Sequence, residues 1–291
     1  MKATAVWPET LEKLSLLSRA HSFEVWDCWD LGRFSRVVVK VPRDDRLDDP
    51  RTTKQLLDEG ALLQRLNHPN ILRAYETIET PVPMVIMETL SGETLSAMLD
   101  ETGHLDSEEI AHLGLQLCSA LAYLHSQGVA HLDLKPSNII GQAGRARLID
   151  LGLARPFGDG RPGVGTWSYM APEQTTGVGL GPATDVWGLG ATLFECVTGH
   201  PPFDDPDIEG LQSFTGTGSS GAWPGRFPQL DRRVVFSGEA AERSPDLQPL
   251  ILACLDPDPG SRLTLRGLAA GLEDVLEVPD SARHHSGSIP S

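Results

Sequence analysis

His131-Leu132-Asp133-Leu134-Lys135-Pro136-Ser137-Asn138 is the stretch on which the fold of this chain turns. It follows Gly128, the stop of a helical pattern in which Ile110, Leu113, Leu117, Leu121 and Leu124 share an apolar face and Asp106 with Glu109 forms a capping box. The stretch is therefore a loop. Within it a carboxylate, a cation and an amide stand close enough to act on one reacting group. Asp133 can take a hydroxyl proton, Lys135 can neutralise charge developing on a transferred phosphoryl group, and Asn138 can offer its carbonyl oxygen to magnesium. A polar surface loop without chemistry is the alternative, and so specific a string weighs against it.

Outward from this loop, two further oddities appear. Downstream, Leu148-Ile149-Asp150-Leu151-Gly152 sets an acid just after a short apolar strand and beside a glycine, a good position for holding a hard cation. An ordinary Asp-x-Gly turn would look the same. Upstream, Lys40 interrupts the β-branched run Val37-Val38-Val39-Lys40-Val41. A lysine there either reaches water from an edge strand or needs a buried anion. Glu59 supplies one, because it falls on the apolar face of a helix marked by Leu56, Leu63 and Leu66.

The coarse pattern is α+β. Up to about residue 90 the chain reads as strands with one helix: Phe23 to Trp29, a turn at Asp30-Leu31-Gly32-Arg33, the valine run, a helix over about Thr52 to Leu66, then strands over Ile71 to Glu79 and Met84 to Thr89. Helices dominate from about Leu95, including Thr184 to Thr198, Asp246 to Leu255 and Thr264 to Leu276. Residues 206–245 read as a long irregular connection, and the end of the chain from 278 to 291 as a disordered tail.

With 291 residues, 40% hydrophobic and 22% charged, the chain has the balance of an ordinary globular protein. No apolar run approaches the roughly 18 residues of a membrane helix, and MKATAVWPETLEKL is a poor signal peptide. Cys28, Cys118, Cys196 and Cys254 form no CxxC pair, so reduced thiols in a cytoplasmic protein are expected. A net charge of −16 argues against nucleic acid or an anionic membrane as partner.

Taken together, VVVK at 37–40, Glu59 before HPN, HLDLKPSN at 131–138, DLG at 150–152 and APE at 171–173 resemble the signature set of the eukaryotic-like (Hanks-type) serine/threonine protein kinases. The resemblance implies a two-lobed fold over residues 12–277, with a small mainly-β N-lobe (about 12–88) holding one key helix and a larger mainly-α C-lobe (about 91–277). It implies ATP and magnesium as cofactors and protein serine or threonine hydroxyls as substrates. Lys40 would bind the α- and β-phosphates with Glu59 fixing it, Asp133 would be the catalytic base, and Lys135 would touch the γ-phosphate. Asn138 and Asp150 would hold magnesium, the backbone of Glu88 and Leu90 would meet the adenine edge, and Val25, Val38 and Ile140 would line its faces. Thr166 would bridge Asp133 and Lys135, and Arg262 would pair with Glu173.

Two departures stand out. The family's three phosphate-loop glycines fall on Ser18, Ala20 and Phe23, which implies weaker ATP binding, partly offset by the hydroxyls of Ser18 or Ser22. Leu132 stands where many kinases carry an arginine, and residues 151–165 contain no Ser, Thr or Tyr. Catalysis without activation-loop phosphorylation is therefore expected. A pseudokinase scaffold and a small-molecule phosphotransferase are the rival readings. The complete set of reactive residues opposes the first, and APE, Asp185-Val186-Trp187 and Arg262 oppose the second. No sensor segment is evident, so control would act on the domain itself or come from another chain.

Overall fold

Period-two alternation decides which way the valine run faces. The computed structural model describes residues 7–203, 227–231 and 233–279. Its sheet comprises β1 (Leu11–Arg19), β2 (Phe23–Asp30), β3 (Ser35–Pro42), β4 (Ala74–Ile78) and β5 (Met84–Glu88), antiparallel in the order β1-β2-β3-β5-β4. Val37, Val39 and Val41 pack with Leu11, Cys28, Met84 and Ile86 into one apolar cluster. Val38 and Lys40 therefore face the other side. The register sets Val25 opposite Lys40 and Asp27 opposite Val38, so Phe23, Val25 and Asp27 share the lysine face.

Helix α1 (Pro50–Arg65) begins where the Asp49 carboxylate accepts the Arg51 N–H at 3.0 Å, with proline in the first turn. It buries Leu56, Glu59, Gly60, Leu62 and Leu63. Gly60 permits an unusually close approach: a methyl group there would lie 2.7 Å from Val85 Cγ2 and overlap the Thr77 side chain. The short strand Arg145–Leu148 ties into the same unit, since Leu148 N–H donates to Asn70 O at 2.8 Å and Leu72 N–H to Leu148 O at 2.9 Å.

Residues up to Gly92 together with 142–152 form one compact unit, and Glu93–Gly141 with the chain from Leu153 onward form the other. The first unit thus runs a few residues past Glu88 and takes in 142–152. Leu148 exchanges backbone hydrogen bonds with Asn70 and Leu72, which ties this stretch to the first unit.

The second unit is mainly helical: α2 (Leu95–Thr102), α3 (Ser107–Ser126), α4 (Pro172–Thr176), α5 (Pro182–Thr198), α6 (Pro228–Asp231), α7 (Gln248–Cys254) and α8 (Leu265–Val275). The expected capping box of α3 is formed, with Glu109 N–H on Asp106 Oδ1 at 2.8 Å and Asp106 N–H on Glu109 Oε2 at 3.1 Å. Gly128, at φ 71°, follows its end. Every residue of α5 from Thr184 to Val197 is buried, as befits a helix surrounded by others; α3 packs on α5 and α8, and α7 on α5. Much of the 206–245 connection lies outside the described residues. Within the remainder, α6 and a turn of 3₁₀ helix at Gly238–Ala241 replace the irregular chain expected there. Of the tail expected from 278, Val278 is held by its N–H on Glu273 O at 3.0 Å, and residues 280–291 lie outside the description.

All four cysteines are unpaired and buried, and burial raises their pKa values, to about 11 for Cys28 and about 12 for Cys118. Among the described residues no helix is long and apolar enough to cross a membrane.

The close approach at Gly60 fixes the sign of a substitution. In an exposed helix Gly→Ala gains about 0.5–1 kcal/mol. Here Gly60→Ala is expected to lose about 1–3 kcal/mol through overpacking, read from the midpoint of urea unfolding; a gain would show that α1 has room to move.

Candidate active site

In the first unit, Lys40 is 7% exposed, so it does not reach water from the sheet. Its Nζ donates to both Glu59 oxygens, at 3.0 and 2.7 Å, and to Asp150 Oδ1 at 3.0 Å. Burial opposes the lysine's charge, yet Asp150 and then Glu59 outweigh it and raise the pKa, so Lys40 is an ammonium. Burial dominates at Glu59, whose carboxyl is pushed up to about 7 despite the neighbouring ammonium. Asp150 adopts φ 59°, and its Oδ1 also accepts the Gly152 N–H at 3.2 Å. Gly152 O in turn accepts from Gln55 of α1 at 3.1 Å, which fixes the DLG turn to the same helix that carries Glu59.

The adenine-edge candidates of this unit are partly committed. Glu88 N–H donates to Arg73 O at 3.0 Å, and the Glu88 carboxylate accepts from Arg73 N–H and Arg147, at 2.9 and 3.1 Å. Its N–H is thus engaged within the sheet. Val38 lies opposite Met87 on β5, three residues before Leu90.

In the second unit, the loop after α3 is shaped by one buried carboxylate. Asp185, in the first turn of α5, accepts the N–H groups of His131 and Leu132, both at 2.8 Å, and pairs with His125 Nε2 at 2.8 Å. Two consecutive amides on one carboxylate hold Leu132 at φ 66°, a conformation that costs a branched residue energy. The next residue, Asp133, is then turned toward three donors. Thr166 Oγ1 donates to Asp133 Oδ1 at 2.7 Å, Lys135 Nζ lies 3.0 Å from Oδ2, and Asn138 Nδ2 is 3.1 Å from Oδ2 and 2.8 Å from the Asp133 carbonyl. Lys135 Nζ also donates to Thr166 Oγ1 at 2.6 Å, which closes the bridge expected for Thr166. With its amide nitrogen on Asp133, Asn138 keeps its carbonyl oxygen as an acceptor or metal ligand. Ile140 pairs with Thr94 in a short antiparallel ladder beside this loop.

The segment after Leu153 is pinned to the same unit without any charge pair at position 132. Leu132 is buried with Ala130 and Leu180 in a small apolar cluster. Arg155 and Pro156 pair with Ala130 and Val129, Gly158 and Leu180 exchange backbone hydrogen bonds, and Gly160 N–H donates to Gly177 O at 2.7 Å. Gln174 ties three strands of chain together: its oxygen accepts Ala171 N–H at 2.9 Å, and its nitrogen donates to Leu132 O at 2.9 Å and Val164 O at 2.7 Å. Sequence reasoning passed over Gln174, although it directly follows the APE motif. It also left Asp185 as only the opening of a helix, and missed the contact of Phe23 with Lys40. A lone acid in the first turn of an otherwise apolar helix is the signal that could have singled out Asp185.

Arg262 meets Glu173 through two parallel bonds, at 2.7 and 2.8 Å, and adds Ala183 O at 2.8 Å while lying 5.0 Å from the Trp187 ring centre. This pair, expected from the sequence, joins α4 to the approach to α8.

The sheet-and-helix unit and the mainly helical unit together have the α+β composition of protein kinases. A family model described as protein kinase domain matches residues 16–273, and the chain belongs to that family. Serine/threonine-protein kinase PkaA of Streptomyces coelicolor is 34% identical over 254 residues, covering 83% of this chain and 43% of that protein. Serine/threonine-protein kinase PknB of Mycolicibacterium smegmatis is 30% identical over 272 residues (87% and 41%), and PknB of Mycobacterium leprae 34% over 186 residues (60% and 30%). The chain thus spans less than half the length of these relatives.

Removing one partner of the Glu173–Arg262 pair leaves a buried charge. Arg262→Ala is expected to cost about 3–5 kcal/mol in unfolding free energy. Arg262→Lys should recover only a fraction of it, because an ammonium cannot reproduce the two-pronged geometry. Equal stability of all three proteins by thermal unfolding would contradict this account.

Proposed function

We propose that this chain is an ATP- and magnesium-dependent serine/threonine protein kinase that works without phosphorylation of its activation segment. The observation that carries the reading is the hold on Asp133: three donors from Thr166, Lys135 and Asn138 orient one carboxylate of a rigid loop. A general base needs that orientation before any pKa argument matters.

The roles follow from the chemistry of each side chain. Lys40, a buried ammonium kept charged by Glu59 and Asp150, suits the α- and β-phosphates. Asp133 takes the proton of the attacking hydroxyl, and Lys135 stabilises charge on the transferred phosphoryl group. Asp150 and the Asn138 carbonyl are hard oxygen donors of the kind that magnesium selects. Bound magnesium would neutralise triphosphate charge and favour departure of the ADP oxygen. For adenine, the Glu88 carbonyl and the Leu90 backbone would serve the base edge, and Val25, Val38 and Ile140 its faces. The catalytic domain would span 12–277. Protein hydroxyls are the proposed substrates, and the four unpaired thiols support a reducing, cytoplasmic setting.

Independence from activation-segment phosphorylation rests on two features. Residues 151–165 offer no hydroxyl, and the Leu132 cluster with the Gln174 hydrogen bonds does the fastening that a phosphate–arginine pair would otherwise do.

Transfer of labelled γ-phosphate to a generic basic protein should be readily measured with magnesium, and should fall at least 100-fold in Asp133→Ala and in Lys40→Ala. Retained transfer in Asp133→Ala would remove the proposed base. Phosphatase treatment should leave turnover unchanged. Gln174→Ala, which strands the Leu132 and Val164 carbonyls, should lower kcat and destabilise the fold by about 1–3 kcal/mol.

A further inference from the structure

Lys40 has one neighbour that the proposed chemistry does not use. Phe23, the first residue of β2, is 8% exposed and stands on the lysine face two residues before Val25. Its ring centre lies 5.0 Å from Lys40 Nζ. Phenyl rings attract ammonium groups through their negative faces. The three N–H bonds of the ammonium already point at Glu59 and Asp150 oxygens. The ring covers a further side of the same group.

The backbone around Phe23 is clamped. Its carbonyl accepts Ala20 N–H at 2.9 Å across the β1–β2 turn, and the Ser22 carbonyl accepts Arg43 N–H at 3.0 Å. The hairpin tip therefore cannot slide away as a unit without losing bonds, and clearing Lys40 falls to rotation of the side chain. Phe34, in the turn between β2 and β3, carries the same ring but is 81% exposed.

We propose that Phe23 is a gate over Lys40 that sets how tightly this chain holds a polyphosphate, so that anionic ligands reach the ammonium only when the ring turns aside. This rests on the reading of Lys40 as the phosphate-binding cation. It differs from a general loss of glycine flexibility in the loop, because the ring at position 23 alone is responsible. The affected ligand class is nucleoside di- and triphosphates, while the bare nucleoside, which offers Lys40 no anion, is indifferent to the gate.

Calorimetric titration of the purified chain with ATP and ADP (both with magnesium) and with adenosine tests this. Phe23→Gly and Phe23→Ala should each bind ATP and ADP at least fivefold more tightly than the natural protein, with adenosine affinity unchanged, and Phe34→Ala should change none of the three. Should Phe23→Gly fail to unfold cooperatively, the Ala variant carries the comparison. Equal or weaker ATP binding in the Phe23 variants overturns the gate, as does an equal gain in adenosine affinity or in Phe34→Ala. No nucleotide binding by any folded protein in the set would overturn both the gate and the kinase reading beneath it, whereas tight binding by the natural protein with no gain in the variants would overturn the gate alone.

Discussion

A charged ammonium buried in a β-sheet is the constraint from which the first unit follows. Lys40 could not sit at 7% exposure without anions at contact distance, and the unit is built to bring them. β3 fixes the direction of the lysine through its alternation with the valine cluster. Helix α1 supplies Glu59, and its next residue, Gly60, lets the helix lie close enough to β4 and β5 for that carboxylate to arrive. The DLG turn supplies Asp150 and is itself hydrogen-bonded to α1 through Gln55. Sheet, helix and turn are thus three solutions to one electrostatic problem.

The second unit solves a mirror-image problem with a buried anion. Asp185 lies in the first turn of an otherwise enclosed helix, and two successive loop amides and an imidazole gather on it. The loop's unusual backbone at Leu132 is the result, and the direction of Asp133 follows from that backbone. Arg262 and Glu173 repeat the arrangement where α4 must be held. In each case an ionic group is kept inside because its partners shape a segment of chain.

The legible parts of the sequence were those where one residue type had a single physical explanation. A lysine in a valine strand demanded an anion, and Glu59 on an apolar stripe was the matching group; the structure joins them. The α3 capping box and the helix stop at Gly128 were equally direct. What stayed hidden depends on contacts distant in the chain. Gln174 reads as an ordinary polar residue until Leu132 and Val164 are folded against it. Phe23 reads as a missing glycine, and only the register with β3 reveals that its ring faces the ammonium. The allocation of 142–152 to the first unit was likewise invisible, because Ala146 and Leu148 bond to Asn70 and Leu72, far upstream in the chain.

The sequestration of the thiols has a practical corollary. Each sulfur is enclosed and held as the thiol, since burial disfavours the thiolate that attacks electrophiles. Maleimides and acrylamides therefore meet no cysteine thiol on the native surface. A single cysteine placed on an exposed position would be the lone attachment point, which makes the natural sequence a ready background for spectroscopic probes of ring and loop movement.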